Sequence, residues 1–367
     1  MHFQLDEQLS ILRDVVHACL HGLSGTDPEE QWRALVRDLD LFSLIEAAGD
    51  DGDGSNLELM LVFEEVGAAL LRAPLLDTLV IAPLLLGCRE SAIAGGLRQA
   101  IRAGEARVGF AWQEDGASDF AAPVATRITE RGTRLFLSGS KKAVPAELPL
   151  THLLVTARAE DEDGVSIIVL PVAGRDLREE VYQSFDGRRM MDLRFDDIEI
   201  DRATILHGGA GGRLLVQRVA EHAIAASCAE SVGVLRRLVD LTVAHITERK
   251  QFGRPLSEFQ ALQHRLADML AHLEMAAAAS LRATLSLADD DLRTRAVLAA
   301  KITVGRACKF IGENAIQLHG GMGMSEETAA GGYFKRALTL AGLFGSSDQA
   351  VRKLAEAGPI MPVVAYG

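Results

Sequence analysis

The period of the apolar residues changes twice along this chain, which restricts the fold to helices, then strands, then helices again. In residues 1–106, Leu5, Leu9, Leu12, Val15 and Val16 recur at helical spacing, Leu57–Gly67 opens a second helix, and the apolar stretch Leu75–Leu86 continues the pattern. The tract from Gly49 to Gly54, all glycine and aspartate, reads as a loop. In residues 107–206 the runs are short and β-rich: Val108–Trp112, Leu135–Gly139, Leu153–Ala157, Val165–Leu170 and the alternating Met191–Ile200. Asp, Gly and Pro clusters separate them, the pattern of an antiparallel barrel or sandwich. From 207 to 367 the helical period returns. Gly211-Gly212 precede a long helix to Arg249, Ser257-Glu258-Phe259-Gln260 reads as a capping box, and Gly320-Gly321 stop the helix Leu292–His319. The expected fold is mainly α with a central β-domain: an N-terminal helical domain, a middle β-barrel or sandwich, and a C-terminal four-helix bundle.

The net charge of −13 and a pI near 5.3 argue against a nucleic-acid partner. With no basic-then-apolar leader and no uncharged apolar run of membrane length, no secretory signal or membrane span is expected, and the expected location is cytoplasmic. Cys19, Cys88, Cys228 and Cys308 form no CxxC and read as reduced thiols. His17 and His21 lie four apart without a third ligand, so no metal site is expected. Trp32 and Trp112 read as core or interface aromatics, and Arg188-Arg189 as a solvated turn.

Several motifs carry chemistry. Glu248-Arg249-Lys250-Gln251-Phe252-Gly253 presents a guanidinium suited to a pyrophosphate, and the glycines of Gln317-Leu318-His319-Gly320-Gly321 let backbone approach a ligand closely. Taken singly, Arg249 is also a cation balancing a helix C-terminus, Gly320-Gly321 a helix C-cap, and Ser346 an N-cap for the last helix. With Glu64-Glu65-Val66-Gly67, Gly139-Ser140-Lys141, Phe195-Asp196-Asp197-Ile198 and Tyr333-Phe334-Lys335-Arg336, in this order, the chain resembles the acyl-CoA dehydrogenase family over nearly its whole length. The resemblance implies FAD bound at a subunit interface in a dimer of dimers. Arg249, Phe252, Gln260, Gln317, Gly320 and Gly321 would reach the neighbouring subunit's FAD, and Ser346 and Ser347 stand where the family contacts FAD. It also implies α,β-desaturation of an acyl-CoA thioester, with hydride passing to FAD and electrons to an electron-transfer flavoprotein.

The chain departs from the family pattern around its own flavin ring. Gly345 stands where most members carry the catalytic glutamate, and Lys141-Lys142-Ala143-Val144-Pro145 replaces the usual Trp-Ile-Ser/Thr. Pro145 offers neither hydroxyl nor N–H. Ser118 lies in a shortened loop and is a candidate substrate contact or a simple turn residue, and Phe185-Asp186-Gly187-Arg188-Arg189 resembles a family loop near the substrate mouth, with a solvated turn the expected reading. The alternative base position on the first bundle helix is Ala223, leaving Glu221 and Glu230 as candidates. Glu221 points to another face, and Glu230 lies about 10 Å along the helix axis. The expectation is a non-catalytic subunit of a heterotetramer, completing the FAD site of a related catalytic chain that desaturates CoA esters of bulky groups such as steroids. Two other readings are a homo-oligomeric dehydrogenase with a relocated base and a flavin-free structural or ligand-binding relative.

Overall fold

The computed structural model describes residues 6–23, 25–37, 39, 41, 53–88, 91–116, 119–120, 122–159, 164–324 and 328–357. The first layer is helical: α1 (Glu7–Leu23), α2 (Pro28–Arg37), α3 (Asp53–Ala68), a π-helical turn Leu76–Ile81 running directly into α4 (Ala82–Gly87), and α5 (Ala92–Arg102). Helix α3 starts at Asp53, inside the tract read as a loop; residues 49–52 lie outside the described residues. Trp32 is buried, as expected, and its indole N–H donates to the Gly104 carbonyl at 3.1 Å.

The chain then forms β1 (Val108–Ala111), β2 (Arg127–Arg131), β3 (Arg134–Pro145), β4 (His152–Ala159), β5 (Ser166–Pro171), β6 (Arg178–Gln183), β7 (Arg189–Ile200) and β8 (Ile205–His207). These make one sheet in the order β6-β7-β3-β2-β4-β5-β8, with β1 also on β4. An antiparallel barrel is not what forms. Both β1 and β2 run parallel to β4, and among the described residues the edge strands β6 and β8 do not pair, so the sheet is mixed and open. Parallel neighbours need a crossover connection, and the chain between β1 and β4, which includes β2 and β3, supplies one. Alternation along the central strands serves two cores. Leu153, Val155, Ile168 and Leu170 pack within the sheet's own core, while Leu154, Ile167 and Val169 face the helices.

The last layer contains α6 (Gly209–Glu248), the hairpin β9 (Lys250–Gln251) and β10 (Arg254–Pro255), α7 (Gln260–Leu285), α8 (Arg293–His319), α9 (Ala330–Gly342) and α10 (Ser347–Glu356). Helix α6 is the spine of the molecule, with residues 219–235 buried on every side. Gly212 falls inside its first turn rather than before it, and a Cβ there would lie 1.8 Å from the Val165 carbonyl oxygen, so only glycine fits. The capping box read at Ser257 does not form: Leu256–Glu258 is a 3₁₀ turn, and α7 begins at Gln260 with Phe259 at its N-cap. Gly320 (φ +62°) caps α8, and Ser346 forms a full capping box with Gln349. Among the described residues no helix is long and apolar enough to cross a membrane.

Candidate functional site

Two regions gather the residues singled out above. The first is the exposed end of the last layer. After α6 the chain turns back through β9 and β10, and the two turn residues Phe252 (φ +53°) and Gly253 (φ +81°) both take left-handed backbone. That turn type favours Asn-Gly, and a bulky residue at its first position is strained. Phe252 is nevertheless held there, 90% exposed. Arg254 stacks over Phe259, 4.1 Å from the ring centroid, bracing the hairpin against the start of α7. His245 on α6 stacks on His319 on α8 at 4.5 Å, tying the two helix ends together. Arg249, Gln260, Gln317, Gly320 and Gly321 are all exposed at this end. A Cβ at Gly320 or Gly321 would meet nothing within 4 Å, so the backbone there is open to an approaching molecule. A guanidinium, an accessible aromatic, two amide side chains and bare backbone are thus exposed together at this end of the layer.

The second region is a cavity where the three layers meet, with about 140 Å³ of accessible room. Its apolar wall is formed by Phe63 and Val66 from α3, Leu75 and Leu76 before and within the π-turn, Phe110, Trp112, Met190, Leu343 and Phe344, and charged residues including Asp77, Asp186, Arg188, Glu230 and Arg336 complete the lining. Trp112, Phe120 and Phe344 stack in succession, with centroids 4.1 and 5.0 Å apart. Ala143 and Pro145, at the positions of the family's flavin-packing residues, also line the cavity. Ala143 sits at a bulge between β3 and β7 with φ +53°, its N–H donating to Asp192 at 3.1 Å. Ala143 and Pro145 give this wall neither an aromatic face nor a hydroxyl to offer a flavin ring, and Pro145 has no N–H.

Gly345 has φ +109° and follows Phe344 at φ +61°, so the turn is shaped for glycine, and a glutamate there would be strained. Buried Lys301 holds this turn, its ammonium donating to the carbonyls of Leu340 (3.1 Å) and Leu343 (2.6 Å). Ala223 is fully buried and apolar. Glu221 is not among the cavity's lining residues; its carboxylate accepts from Arg293 (2.7 Å) and Thr294 (2.6 Å). Glu230 does line the cavity, but Arg336 engages it at 2.7 Å, and Arg188 lies 3.5 Å away. To take a proton from a substrate, either acid would first have to leave its ion pair. Ser346 is occupied as the N-cap of α10, and Ser347 packs on α8, its Oγ 2.3 Å from where a Cβ at Gly305 would stand. Ser118 lies outside the described residues.

Three features escaped the sequence reading. Arg188, read as part of a solvated turn, is largely buried: it donates to the Leu71 carbonyl at 2.7 Å and joins Asp186, Glu230 and Arg336 in a closed set of two cations and two anions. Burial, then the facing Arg336 guanidinium, pulls Arg188 down to about 10, which leaves it charged at neutral pH. Burial alone would raise the Asp186 carboxyl; Arg336, the Ser184 hydroxyl and Arg188 overcome that and hold it below its usual range. Lys141, fully buried, pairs with Glu114 at 2.6 Å, and Glu114 also accepts from Thr126 N–H at 3.0 Å. Burial lowers Lys141 to about 8 against the pull of Glu114. This pair anchors the shortened loop to the sheet. The third feature is Asp77, on the π-turn, an acid in the cavity wall whose Oδ2 accepts from Phe110 N–H at 2.9 Å. Its signal in the sequence is a single acid inside the apolar run Leu75–Leu86. His17 and His21 stack, His17 bonding Glu65 at 2.7 Å; among the described residues no group of three or more His, Cys, Asp or Glu is placed to hold a metal.

Residues 209–358 match the acyl-CoA dehydrogenase C-terminal domain. Among similar proteins, acyl-CoA dehydrogenase IpdE2 of Mycolicibacterium smegmatis is 36% identical over 140 residues, covering 38% of this chain and 43% of that protein. The short-chain specific mitochondrial acyl-CoA dehydrogenase of Mus musculus is 27% identical over 69% of this chain and 62% of its own length. The alignments thus span less than two thirds of these two relatives. Among solved structures, a variant of the Tcur3481–Tcur3483 steroid ACAD is 26% identical, with TM-score 0.82 over 96% of this chain and 98% of that one. The ChsE4–ChsE5 complex from Mycobacterium tuberculosis shares the fold at 20% identity and TM-score 0.83, over 99% of this chain and 100% of that one. Residues 209–358 thus match an acyl-CoA dehydrogenase C-terminal domain, and the chain is similar over nearly its whole fold to that family, whose homologues are FAD-dependent flavoproteins.

Proposed function

We propose that this chain is the non-catalytic subunit of a hetero-oligomeric acyl-CoA dehydrogenase, presenting Arg249, Phe252, Gln260, Gln317, Gly320 and Gly321 to the FAD of a related catalytic chain. The observation that carries this reading is Phe252: a large aromatic kept 90% exposed, on strained backbone, at the tip of a braced hairpin. A residue held at such cost in water is accounted for by a partner that covers it. The inner side supports the same reading, since the turn at Gly345 is built for glycine and both Glu221 and Glu230 are committed to arginines. The reaction of the assembly would be α,β-desaturation of an acyl-CoA, the base coming from the partner chain. Two of the similar structures are named for two-component assemblies, and one of these is called a steroid ACAD. A CoA ester of a bulky polycyclic acid is accordingly the proposed substrate class. An electron-transfer flavoprotein is the proposed electron acceptor, a cytoplasmic location the proposed compartment, and residues 1–106, 107–206 and 207–367 the proposed domains.

The test is the visible absorption spectrum of the purified chain, alone and co-expressed with its nearest paralogue. The expected result is a colourless protein alone and one FAD per pair in the complex. Flavin bands near one per chain in the solitary protein, bleached by an acyl-CoA, overturn the proposal. Asp77 would then be the first base to test.

A further inference from the structure

We propose that His245 and His319 form an acid-sensitive clasp at the outward end. Neutral, the stacked rings hold its two arms in register; doubly protonated, they part and loosen this end's hold on a partner's flavin nucleotide. His245 lies in the last turn of α6 and His319 is the last residue of α8, and their rings stack at 4.5 Å with 21° between the planes. Each arm of the surface begins beside one ring. The Arg249 N–H donates to the His245 carbonyl at 2.9 Å, and Gly320 directly follows His319. The stack therefore sets the spacing between Arg249 on one arm and Gln317, Gly320 and Gly321 on the other.

Both rings stand where a cation is drawn, in the last turn of a helix, whose carbonyls lack intrahelical partners. His319 Nδ1 lies 2.9 Å from the Ala315 carbonyl, and a carbonyl only accepts, so Nδ1 carries the hydrogen and Nε2 is left to take up a proton. One cation on a neutral ring is attractive, but two cations at this distance repel. His319 is buried and His245 half-buried, so solvent ions screen that repulsion poorly. The other charged groups around the stack are Glu248 and Arg249 at the end of α6, Lys250 and Arg254 on the hairpin, and Glu258 in the 3₁₀ turn. The last turn of α8, the turn 320–324 and the first turn of α7 add none. Burial, then His319 and Arg249, hold His245 below the ordinary imidazole range, against the pull of Glu248. A His245 freed from the stack takes its proton more readily, so falling pH favours the parted ends and rising pH the closed ones.

What the clasp serves rests on the function proposed above; whether it opens does not. Hydrogen exchange read by mass spectrometry on the solitary full chain tests the opening. Corrected for the intrinsic effect of pH, the amides of residues 245–250 and 318–322 should exchange about tenfold faster at pH 5 than at pH 7.5, while the buried middle of α6 stays protected. His245→Phe keeps a flat ring on His319 but takes no proton, so its helix ends should exchange alike at both pH values. Flavin retention by the complex with the nearest paralogue tests the consequence. FAD affinity should fall about tenfold over the same range in the wild type and stay level in His245→Phe. Unchanged exchange in the wild-type solitary chain, or loosening at pH 5 that persists in His245→Phe, overturns the clasp. The first of these is read on the native protein and does not depend on how the variant folds. A solitary chain that opens beside a complex that holds FAD equally at both pH values overturns the clasp's link to the flavin. A complex without FAD at either pH contradicts the oligomer instead, and exchange on the solitary chain still decides the clasp.

Discussion

Asp77 is a buried ionisable group whose carboxyl has one hydrogen bond among the described residues, from the Phe110 N–H, and its effect on stability has a definite sign. Its folded value of about 7 lies above the ordinary aspartate value of 3.8, so the folded state holds a proton that the unfolded state releases. Stability from this group is fully present below about pH 4 and is lost as pH rises through 7. The loss is on the order of 4 kcal/mol, three units at about 1.4 kcal/mol each. Asp77→Asn, a neutral isostere, should match the wild type in urea unfolding near pH 4 and exceed it by a few kcal/mol at pH 8; equal stability at pH 8 would refute the buried acid. Glu230 supplies the converse case. Its carboxylate sits between two buried guanidiniums, and Glu230→Gln leaves them facing each other with one anion fewer. Breaking a buried pair from one side costs about 3–5 kcal/mol. The variant should lose roughly that much stability, whereas loss below about 1 kcal/mol would mean that the network relaxes freely. Neither residue could be assigned from the sequence. Glu230 was visible as an acid on the correct helix face, but its partners Arg336 and Arg188 are 106 and 42 residues away, and nothing local announces them. Asp77 looked like an interruption in an apolar run, because only the fold brings Phe110 and the cavity to it.

Elements were legible where the pattern was local. The switch from helical to β period near residue 107, the return near 207, the glycine stop after α8 and the serine cap of α10 all follow from neighbouring residues and are present in the structure. What misled depends on tertiary contact. Ser257 carries the local signature of a capping box, yet α7 starts at Gln260, after the 3₁₀ turn Leu256–Glu258. The sheet's parallel pairings cannot be read from alternation, which reports a face and not a direction. The crossing of α3 and α6 was likewise hidden, although Gly67 had been noticed within a motif. A Cβ at Gly67 would stand 2.0 Å from the Glu230 carbonyl oxygen, and one at Gly233 would stand 1.8 Å from that of Glu64. The two helices touch backbone to backbone through a reciprocal glycine pair. Gly67→Ala and Gly233→Ala should each lower stability by about 3 kcal/mol, the upper end for overpacking because backbone and not side chains must move. The double variant should cost clearly less than the sum, since one displacement relieves both clashes. Full additivity in a melting series would mean that the two sites are independent.

At the scale of the whole molecule, the outward end and the inner cavity pose separable demands, and the outward end makes the sharper forecast. Arg249 and Phe252 are exposed in this chain, the Phe252 ring meeting only the edge of Phe259 at 6.1 Å among the described aromatic rings. If they complete a neighbour's FAD site, their removal will be felt only in the complex. Arg249→Ala removes a charge-assisted contact of about 1.5–3 kcal/mol, or roughly 10- to 100-fold in flavin affinity. The melting temperature of the solitary chain should not change. Phe252→Asn goes further, because the two effects have opposite signs. Asparagine is at ease in the left-handed conformation that Phe252 adopts at φ +53°, so the isolated chain should gain up to about 1 kcal/mol. The complex should lose both flavin and partner affinity, because the aromatic anchor is gone. A surface feature with no partner would show the gain without the loss. Destabilisation of the isolated chain by Phe252→Asn would place the aromatic in this chain's own packing and remove the reason for assigning it to a partner. Measuring flavin content of the co-expressed complex beside the melting curve of the single chain separates the three outcomes: a gain with a loss assigns this end of the molecule to another subunit's cofactor, a gain alone leaves it an unused hairpin, and a loss in both returns it to the fold.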